Sequence, residues 1–95
     1  MEVVQTSIYD PVADIHFAVQ PNPTRGAVVL LFESNTAQDL EIYIHNGIGQ
    51  VVTSFSQERA TVLEKRLNLY EYGSGVYYVR LKAGDQYPVK RVVVH

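Results

Sequence analysis

A chain of 95 residues is long enough for one hydrophobic core and too short for two, so the sequence predicts a single folded domain. An apolar fraction of 46% and a charged fraction of 19% exclude a disordered or collagen-like chain. No cysteine is present, which excludes disulfide bonds, thiolate metal sites and a cysteine nucleophile.

Charge is distributed unevenly along the chain, although the net charge is only -2. Residues 1–58 hold one basic residue, Arg25, against seven acids, whereas residues 59–95 hold seven basic residues against three acids. The basic residues are spread over several predicted strands, and the sequence carries no signature of a nucleic-acid-binding module. We therefore expect intramolecular charge pairing and no nucleic-acid partner.

The first 14 residues carry little pattern and are predicted to be a linker that joins the domain to a preceding passenger protein. Asp10-Pro11 interrupts regular structure there. The start of the chain lacks the charged and apolar regions of a signal peptide, and no run approaches the roughly 18 apolar residues of a membrane span. We expect any export signal to lie on the preceding passenger.

Beyond the linker, apolar and polar residues alternate between short turns rich in Gly, Pro, Asn, Asp and Ser. This pattern predicts seven antiparallel strands, at residues 13–20, 27–33, 40–46, 50–55, 61–69, 76–83 and 86–94. Strands at this spacing favour an all-β fold, specifically an immunoglobulin-like β-sandwich over residues 15–95.

One predicted strand, residues 61–69, has a helical alternative, because Leu63 and Leu67 also fit a helical spacing. The segment has no capping signal, so we prefer the strand. The shared parity of apolar residues in the other strands predicts one core. Its expected members are Phe32, Leu40, Ile42, Ile44, Tyr77, Val79 and Leu81.

Residues able to perform chemistry are present but do not form a recognisable site. The three histidines are far apart and have no partner at a metal-ligand spacing, and no serine has the context of a nucleophile. No glycine-rich turn continues into a phosphate-binding loop. We therefore predict a protein that is not an enzyme and has no cofactor or metal. Seven tyrosines leave a carbohydrate-binding surface open as an alternative.

The most specific string is Pro21-Asn22-Pro23-Thr24-Arg25-Gly26, which predicts a rigid turn. Two prolines fix φ there, and Asn22 and Thr24 are expected to hydrogen-bond to the nearby backbone. With three later strings, this turn resembles the C-terminal sorting domains of type IX secretion, in the same order along the chain. The later strings are Ile44 to Val52, Gly75 to Arg80 and Lys90 to Val94.

The resemblance implies a secretion address. By this analogy the domain follows a passenger, crosses the periplasm, is recognised by the outer-membrane type IX translocon and reaches the cell surface of a Gram-negative bacterium. A surface sortase then cuts the linker, between about residues 5 and 16. The residues assigned to recognition are Pro21, Asn22, Pro23, Thr24, Gly26, Gly49, Gly75, Tyr77, Val79, Arg80, Lys90, Arg91, Val92, Val93 and Val94.

Two other functions fit an all-β domain of this size. One is an adhesive or carbohydrate-binding module of a surface protein, and the other is a structural spacer appended to an enzyme. The β-branched terminal strand is also expected to present an open sheet edge, through which a weak homodimer could form.

Overall fold

The computed structural model describes residues 14–95, and its order of elements is entirely β apart from one short turn of 3-10 helix. The strands are β1 (Ile15–Gln20), β2 (Ala27–His45), β3 (Val51–Asn68), β4 (Gly75–Ala83) and β5 (Val89–Val94). The 3-10 turn, Leu69–Tyr72, joins β3 to β4. All four strand pairings are antiparallel, so the predicted all-β antiparallel fold is confirmed. Most of the predicted linker, residues 1–13, lies outside the described residues.

The number of continuous strands is a correction, because the described residues form five strands where seven were predicted. The second and third predicted strands merge into β2, and the fourth and fifth merge into β3. Residues 34–39 and 56–60, predicted as turns, lie within β2 and β3, with register shifts beside Gln38 and a positive φ of 52° at Arg59. Polar residues at these positions bend two paired strands through bulges without ending them. The helical alternative for residues 61–69 is wrong.

The bend divides the sheet into two layers. The first half of β2 pairs with β1 and with the end of β3, which gives a three-stranded layer. The second half of β2 pairs with the start of β3 and with β4, and β4 pairs with β5, which gives a four-stranded layer. Thr24, just before β2, forms a bridge to Val94 in the other layer, so β2 folds back over its own beginning. This arrangement is consistent with an immunoglobulin-like sandwich.

The core lies between the two layers and is built from side chains of one parity. The seven residues predicted for it are all buried, none more than 2% exposed, which confirms the inward assignment. The same cluster also contains Val28, Leu30, Ala60, Leu69, Ala83, Val92 and Val94. Because β5 supplies two of these valines, the end of the chain is part of the packed core.

Candidate functional site

The turn between β1 and β2 is closed by local hydrogen bonds of Thr24. Both proline peptide bonds, Gln20–Pro21 and Asn22–Pro23, are cis. The side chain of Thr24, only 5% exposed, donates from Oγ1 to the carbonyl of Ala27 at 2.6 Å. The same oxygen accepts from the amide of Gly26 at 3.0 Å. Thr24 therefore bonds locally, as predicted for it.

Gly26 is required by its surroundings. Its φ is 137°, and a Cβ at this position would lie 2.5 Å from Cβ of Tyr70 and 2.9 Å from the Asn68 side-chain oxygen. Its carbonyl accepts from the amide of Leu69 at 2.8 Å, which joins the turn to the 3-10 segment. A larger residue would push the turn away from β3 and from the buried Leu69.

The turn also makes a second, non-local contact with the backbone of β5. The Asn22 side chain donates from Nδ2 to the carbonyl of Arg91 at 2.7 Å, and its Oδ1 accepts from the amide of Val93 at 3.0 Å. The backbone amide of Thr24 donates to the carbonyl of Val93, and the carbonyl of Thr24 accepts from the amide of His95, both at 2.9 Å. We call these four hydrogen bonds the clasp.

The clasp corrects two expectations from the sequence. Asn22 was predicted to bond to nearby backbone, but its amide contacts residues 69 and 71 positions away. The edge of the terminal strand was predicted to be open, but its outward backbone groups from the Arg91 carbonyl to the His95 amide are paired. A side-chain amide has the same kinds of donor and acceptor as a peptide group, so Asn22 can pair with the backbone of β5. Local sequence rules do not predict a contact with such a distant segment.

The four strings that carry the resemblance meet at one end of the sandwich. The hairpin turn that contains Gly49 approaches β4, because a Cβ on Gly47 would lie 3.6 Å from the carbonyl of Val76. Gly75, at the start of β4, pairs with Val94, and Val94 bridges to Thr24 in the turn. Segments that are widely separated in sequence therefore form one continuous surface.

The residues assigned to recognition divide into a buried group and an exposed group. Thr24, Gly26, Tyr77, Val79, Val92 and Val94 are buried, and Val93 is half-buried. Tyr77 also donates from its hydroxyl to the carbonyl of Gly73 at 2.6 Å. The exposed group is Pro21, Asn22, Pro23, Gly49, Gly75, Arg80, Lys90 and Arg91. A partner of the folded domain can reach this second group and the exposed part of Val93.

The exposed basic residues of β4 and β5 are not neutralised by partners. Arg80 and Arg91 share the outer face of the four-stranded layer, whereas Lys90 has the parity of the buried valines. Within residues 14–95 the only ion pair joins Arg66 and Glu64, at 3.2 Å, and both belong to β3. Pairing between the acidic and basic parts of the chain was therefore a wrong expectation for this region.

The sequence did not indicate that the 3-10 segment and the chain terminus belong to this surface. Arg25, Tyr70 and His95 line a shallow pocket of about 460 Å³ beside the clasp. Asn68 caps the 3-10 turn by accepting from the amide of Tyr70 at 3.1 Å. The string Asn68-Leu69-Tyr70, a capping residue before a buried leucine, was the available signal.

Within residues 14–95, no group of three or more His, Asp or Glu side chains is arranged to hold a metal ion. In the same part of the chain, no helix has the length and apolar character needed to cross a membrane.

An exposed surface assembled from distant motifs on a small β-sandwich is typical of a recognition module. The family model described as a secretion system C-terminal sorting domain matches residues 18–95. The chain belongs to this family, the sorting signals of type IX secretion, which confirms the resemblance. The family is not a known class of enzymes, and membership implies export toward the cell surface or the extracellular space. No curated protein matches the chain.

Proposed function

We propose that the domain directs a preceding passenger protein from the periplasm through the outer-membrane type IX translocon, and that a surface sortase then removes it. The observation that carries this proposal is the clasp, which joins the Pro21 to Gly26 turn to β5 by four hydrogen bonds. Two motifs that are separated in sequence become one surface only when the chain is folded. The translocon therefore reads a folded address.

The basic side chains beside the clasp are the part of this address best suited to a charged partner. Arg80 and Arg91 are exposed on one face, and Lys90 is exposed next to Arg91 in β5. Arg91 also supplies the carbonyl that accepts from the Asn22 side chain. An arginine without an intramolecular partner can bind a carboxylate through two parallel hydrogen bonds. We propose that acidic groups of a translocon component contact this face, which the clasp holds beside the Pro21 to Gly26 turn.

The sortase cut is proposed to fall in the linker, between about residues 5 and 16. Strand β1 begins at Ile15 and pairs with Ser34, and the amide of Asp14 donates to the Asn35 side chain at 3.0 Å. A cut before Asp14 leaves these contacts intact. Mass spectrometry of the released domain should show a new N-terminus within this interval, and a terminus after Gly26 would contradict the proposal.

The test of the address is a fusion of residues 1–95 to a fluorescent passenger in a host with a type IX system. The wild-type fusion should reach the surface or the medium, and the Lys90→Ala, Arg91→Ala variant should accumulate in the periplasm. The control is Arg66→Ala, which removes an exposed positive charge from β3 and leaves Lys65 in place. If the Lys90→Ala, Arg91→Ala variant is folded and exported as well as this control, the basic pair is not part of the address.

A second candidate function is binding of carbohydrate, favoured by three exposed tyrosines. Tyr70, Tyr72 and Tyr87 are 60%, 40% and 59% exposed, and Tyr70 lines the pocket beside the clasp. Exposed aromatic rings can stack on sugars. Screening the purified domain against a glycan array, with Tyr70→Ala as the control, tests this candidate. Binding that is lost in the variant would support an adhesive module.

A further inference from the structure

The hairpin between β2 and β3 is organised around the side chain of Asn46. Its Oδ1 accepts from the amides of Ile48 and Gln50, at 3.1 Å and 2.9 Å, and its Nδ2 donates to Oε1 of Gln50 at 3.0 Å. The main chain of Asn46 donates to the carbonyl of Gln50 at 2.9 Å and accepts from the amide of Gly49 at 3.0 Å. Five hydrogen bonds therefore hold this one residue.

Asn46 is also the only asparagine of the chain that precedes a glycine. The other three, Asn22, Asn35 and Asn68, precede proline, threonine and leucine. The amide nitrogen that follows an asparagine can attack the carbonyl carbon of its side chain, and a glycine leaves this nitrogen accessible because it has no Cβ. A proline has no N–H to lose, and a larger side chain hinders the attack. Asn46 therefore has the neighbour that most favours loss of its amide.

We propose that Asn46 is a site of spontaneous deamidation, and that the closed hairpin protects it. Ring closure turns the carboxamide toward the nitrogen of Gly47, so its hydrogen bonds to Ile48 and Gln50 must first break. The reaction therefore follows opening of the hairpin. The proposal does not depend on the sorting function.

The reaction needs no co-reactant besides water. A bond forms between the nitrogen of Gly47 and Cγ of Asn46, and the bond between Cγ and Nδ2 breaks. Nδ2 leaves as ammonia and takes with it the proton of the Gly47 amide. Water then opens the cyclic imide. Attack at the former side-chain carbonyl gives aspartate, and attack at the main-chain carbonyl gives isoaspartate.

The two products should differ in their effect on the hairpin. Aspartate keeps an oxygen that accepts from the amides of Ile48 and Gln50, and it loses the donor to the Gln50 side chain. Isoaspartate adds a methylene group to the main chain, in a hairpin where the pairing of β2 with β3 already shifts between Ile44 and His45. We therefore expect the hairpin to close with aspartate and to stay open with isoaspartate.

The test follows deamidation of residues 1–95 by mass spectrometry at mildly alkaline pH, in buffer and in guanidinium chloride that unfolds the chain. Deamidation of Asn46 should be about a hundredfold slower in buffer, because three hydrogen bonds of ordinary strength must break first. In the denaturant, Asn46 should react faster than Asn35 and Asn68. Equal rates for Asn46 in the two solutions would overturn protection by the hairpin. A rate in denaturant no higher than that of Asn35 would overturn the site itself.

One substitution isolates the chemistry from the fold. A Cβ on Gly47 would lie 3.6 Å from the carbonyl of Val76, which is an ordinary contact, so Gly47→Ala should fold as the wild type does. In guanidinium chloride this variant should lose most of the deamidation at Asn46. That measurement is made on the unfolded chain and does not require the variant to fold. Deamidation at the wild-type rate would contradict attack by the nitrogen of Gly47.

A second substitution isolates the fold from the chemistry. Gln50→Ala removes one of the three side-chain hydrogen bonds of Asn46. In buffer it should speed deamidation of Asn46 and hydrogen exchange at the Ile48 amide by the same factor, because both follow opening of the hairpin. The matched control is Gln57→Ala in β3, whose side chain donates to the carbonyl of Glu58, and both rates should stay unchanged there. Faster exchange at Ile48 without faster deamidation in Gln50→Ala would overturn the proposal.

Discussion

The two sides of the sandwich protect their sheet edges in different ways. On one side, β5 is a six-residue strand, and the outward backbone groups from the Arg91 carbonyl to the His95 amide are paired with the Pro21 to Gly26 turn. On the other side, β3 runs for 18 residues as the edge of both layers and pairs only with β2. Charged residues at Glu64, Lys65 and Arg66 and the irregular backbone at Arg59 protect this long edge.

The difference bears on the proposed function, because the residues assigned to recognition lie in the turn between β1 and β2, in the hairpin between β2 and β3, in β4 and in β5. Strand β3 contains none of them. On the β3 side, Nζ of Lys65 lies 5.2 Å from the centre of the Phe55 ring and covers a partly exposed part of the core. On the β5 side, the residues that close the edge are also residues of the proposed address. The proposal therefore places recognition on the side where β5 belongs to the packed core, and leaves the β3 side without a part in it.

The largest effect should come from removing the end of β5. Deleting Val92 to His95 removes two buried valines and three of the four clasp bonds. Loss of two buried valines alone costs about 3–6 kcal/mol. That loss is comparable to the total stability of many small domains, about 5–15 kcal/mol. Urea unfolding monitored by circular dichroism should show no cooperative transition. Deleting only His95 removes one clasp bond and should leave a cooperative transition with its midpoint at a lower urea concentration. If the Val92 to His95 deletion unfolds at the wild-type midpoint, β5 does not contribute to the core.

A second test affects the turn without changing its shape. Thr24→Val replaces a buried hydroxyl by a methyl group, leaving the Gly26 amide and the Ala27 carbonyl without their partner. Leaving a buried polar group unsatisfied costs about 1–3 kcal/mol, so the midpoint of urea unfolding should fall clearly. The control is Thr36→Val at an exposed position of β2, where the change should be within about 0.5 kcal/mol. Equal changes in the unfolding midpoint for the two substitutions would show that the hydrogen bonds of the Thr24 hydroxyl do not stabilise the domain.

Local pattern was enough to predict the fold class and the core. Alternation places Ile42, Val79 and Leu81 on one face whatever the strand lengths are, because parity is a local property. The lengths themselves were missed at residues 34–39 and 56–60. Polar residues there match a turn and a solvent-exposed bend equally well, and only pairing between β2 and β3 decides between them.

The sequence predicted which segments belong to the candidate site but not how they are arranged in space. The string from Pro21 to Gly26 and the string from Lys90 to Val94 were each recognisable. Their union depends on the Asn22 side chain reaching a strand 69 positions away, and sequence separation gives no information about such a contact. Exposure of Arg91 and burial of Val92 follow from strand parity once β5 is assigned.

A smaller effect is expected on the β3 side. Lys65→Ala removes the cation–π contact with Phe55, which is worth about 0.5–1 kcal/mol at an exposed site. The substitution also removes one charge from the long edge, so weak association should increase in sedimentation experiments. Lys65→Arg retains charge and the ability to contact the ring and should behave as the wild type. If Lys65→Ala has the stability and the association state of the wild type, neither the contact with Phe55 nor the charge of Lys65 protects the β3 edge.

A still smaller effect on stability is expected from the basic pair of β5. The side chains of Lys90 and Arg91 are exposed, and the clasp uses the backbone of Arg91. Lys90→Ala with Arg91→Ala should change the free energy of unfolding by less than about 0.5 kcal/mol. A melting curve measured beside the export assay separates folding from recognition. A large fall in the melting temperature would show that loss of export reports unfolding.

The smallest effect concerns Tyr43, which lies on the outer face of β2 in the four-stranded layer, between the two edges. Its hydroxyl donates to a carboxylate oxygen of Glu41 at 2.8 Å. This hydrogen bond, with the negative charge of Glu41, raises the pKa of Tyr43 above the ordinary tyrosine value of 10.0. The neutral phenol is therefore favoured in the folded state, and the contribution to stability is present below pH 10. As the pH rises above 10, Tyr43 loses its proton first in the unfolded chain, so this contribution decreases. It is fully lost once the pH has passed the pKa of Tyr43 in the folded state.

Glu41→Gln removes the charge, and the pKa of Tyr43 should fall toward its ordinary value. Site-resolved NMR titration of the Tyr43 ring measures this change. Glu33→Gln, which removes a carboxylate from the same strand in the other layer, should leave the titration of Tyr43 unaltered. Neither substitution touches the clasp or the β3 edge, so hydrogen exchange at Val93 should stay at its wild-type rate. Faster exchange at Val93 in Glu41→Gln would show that the outer face of β2 is coupled to the paired edge of β5.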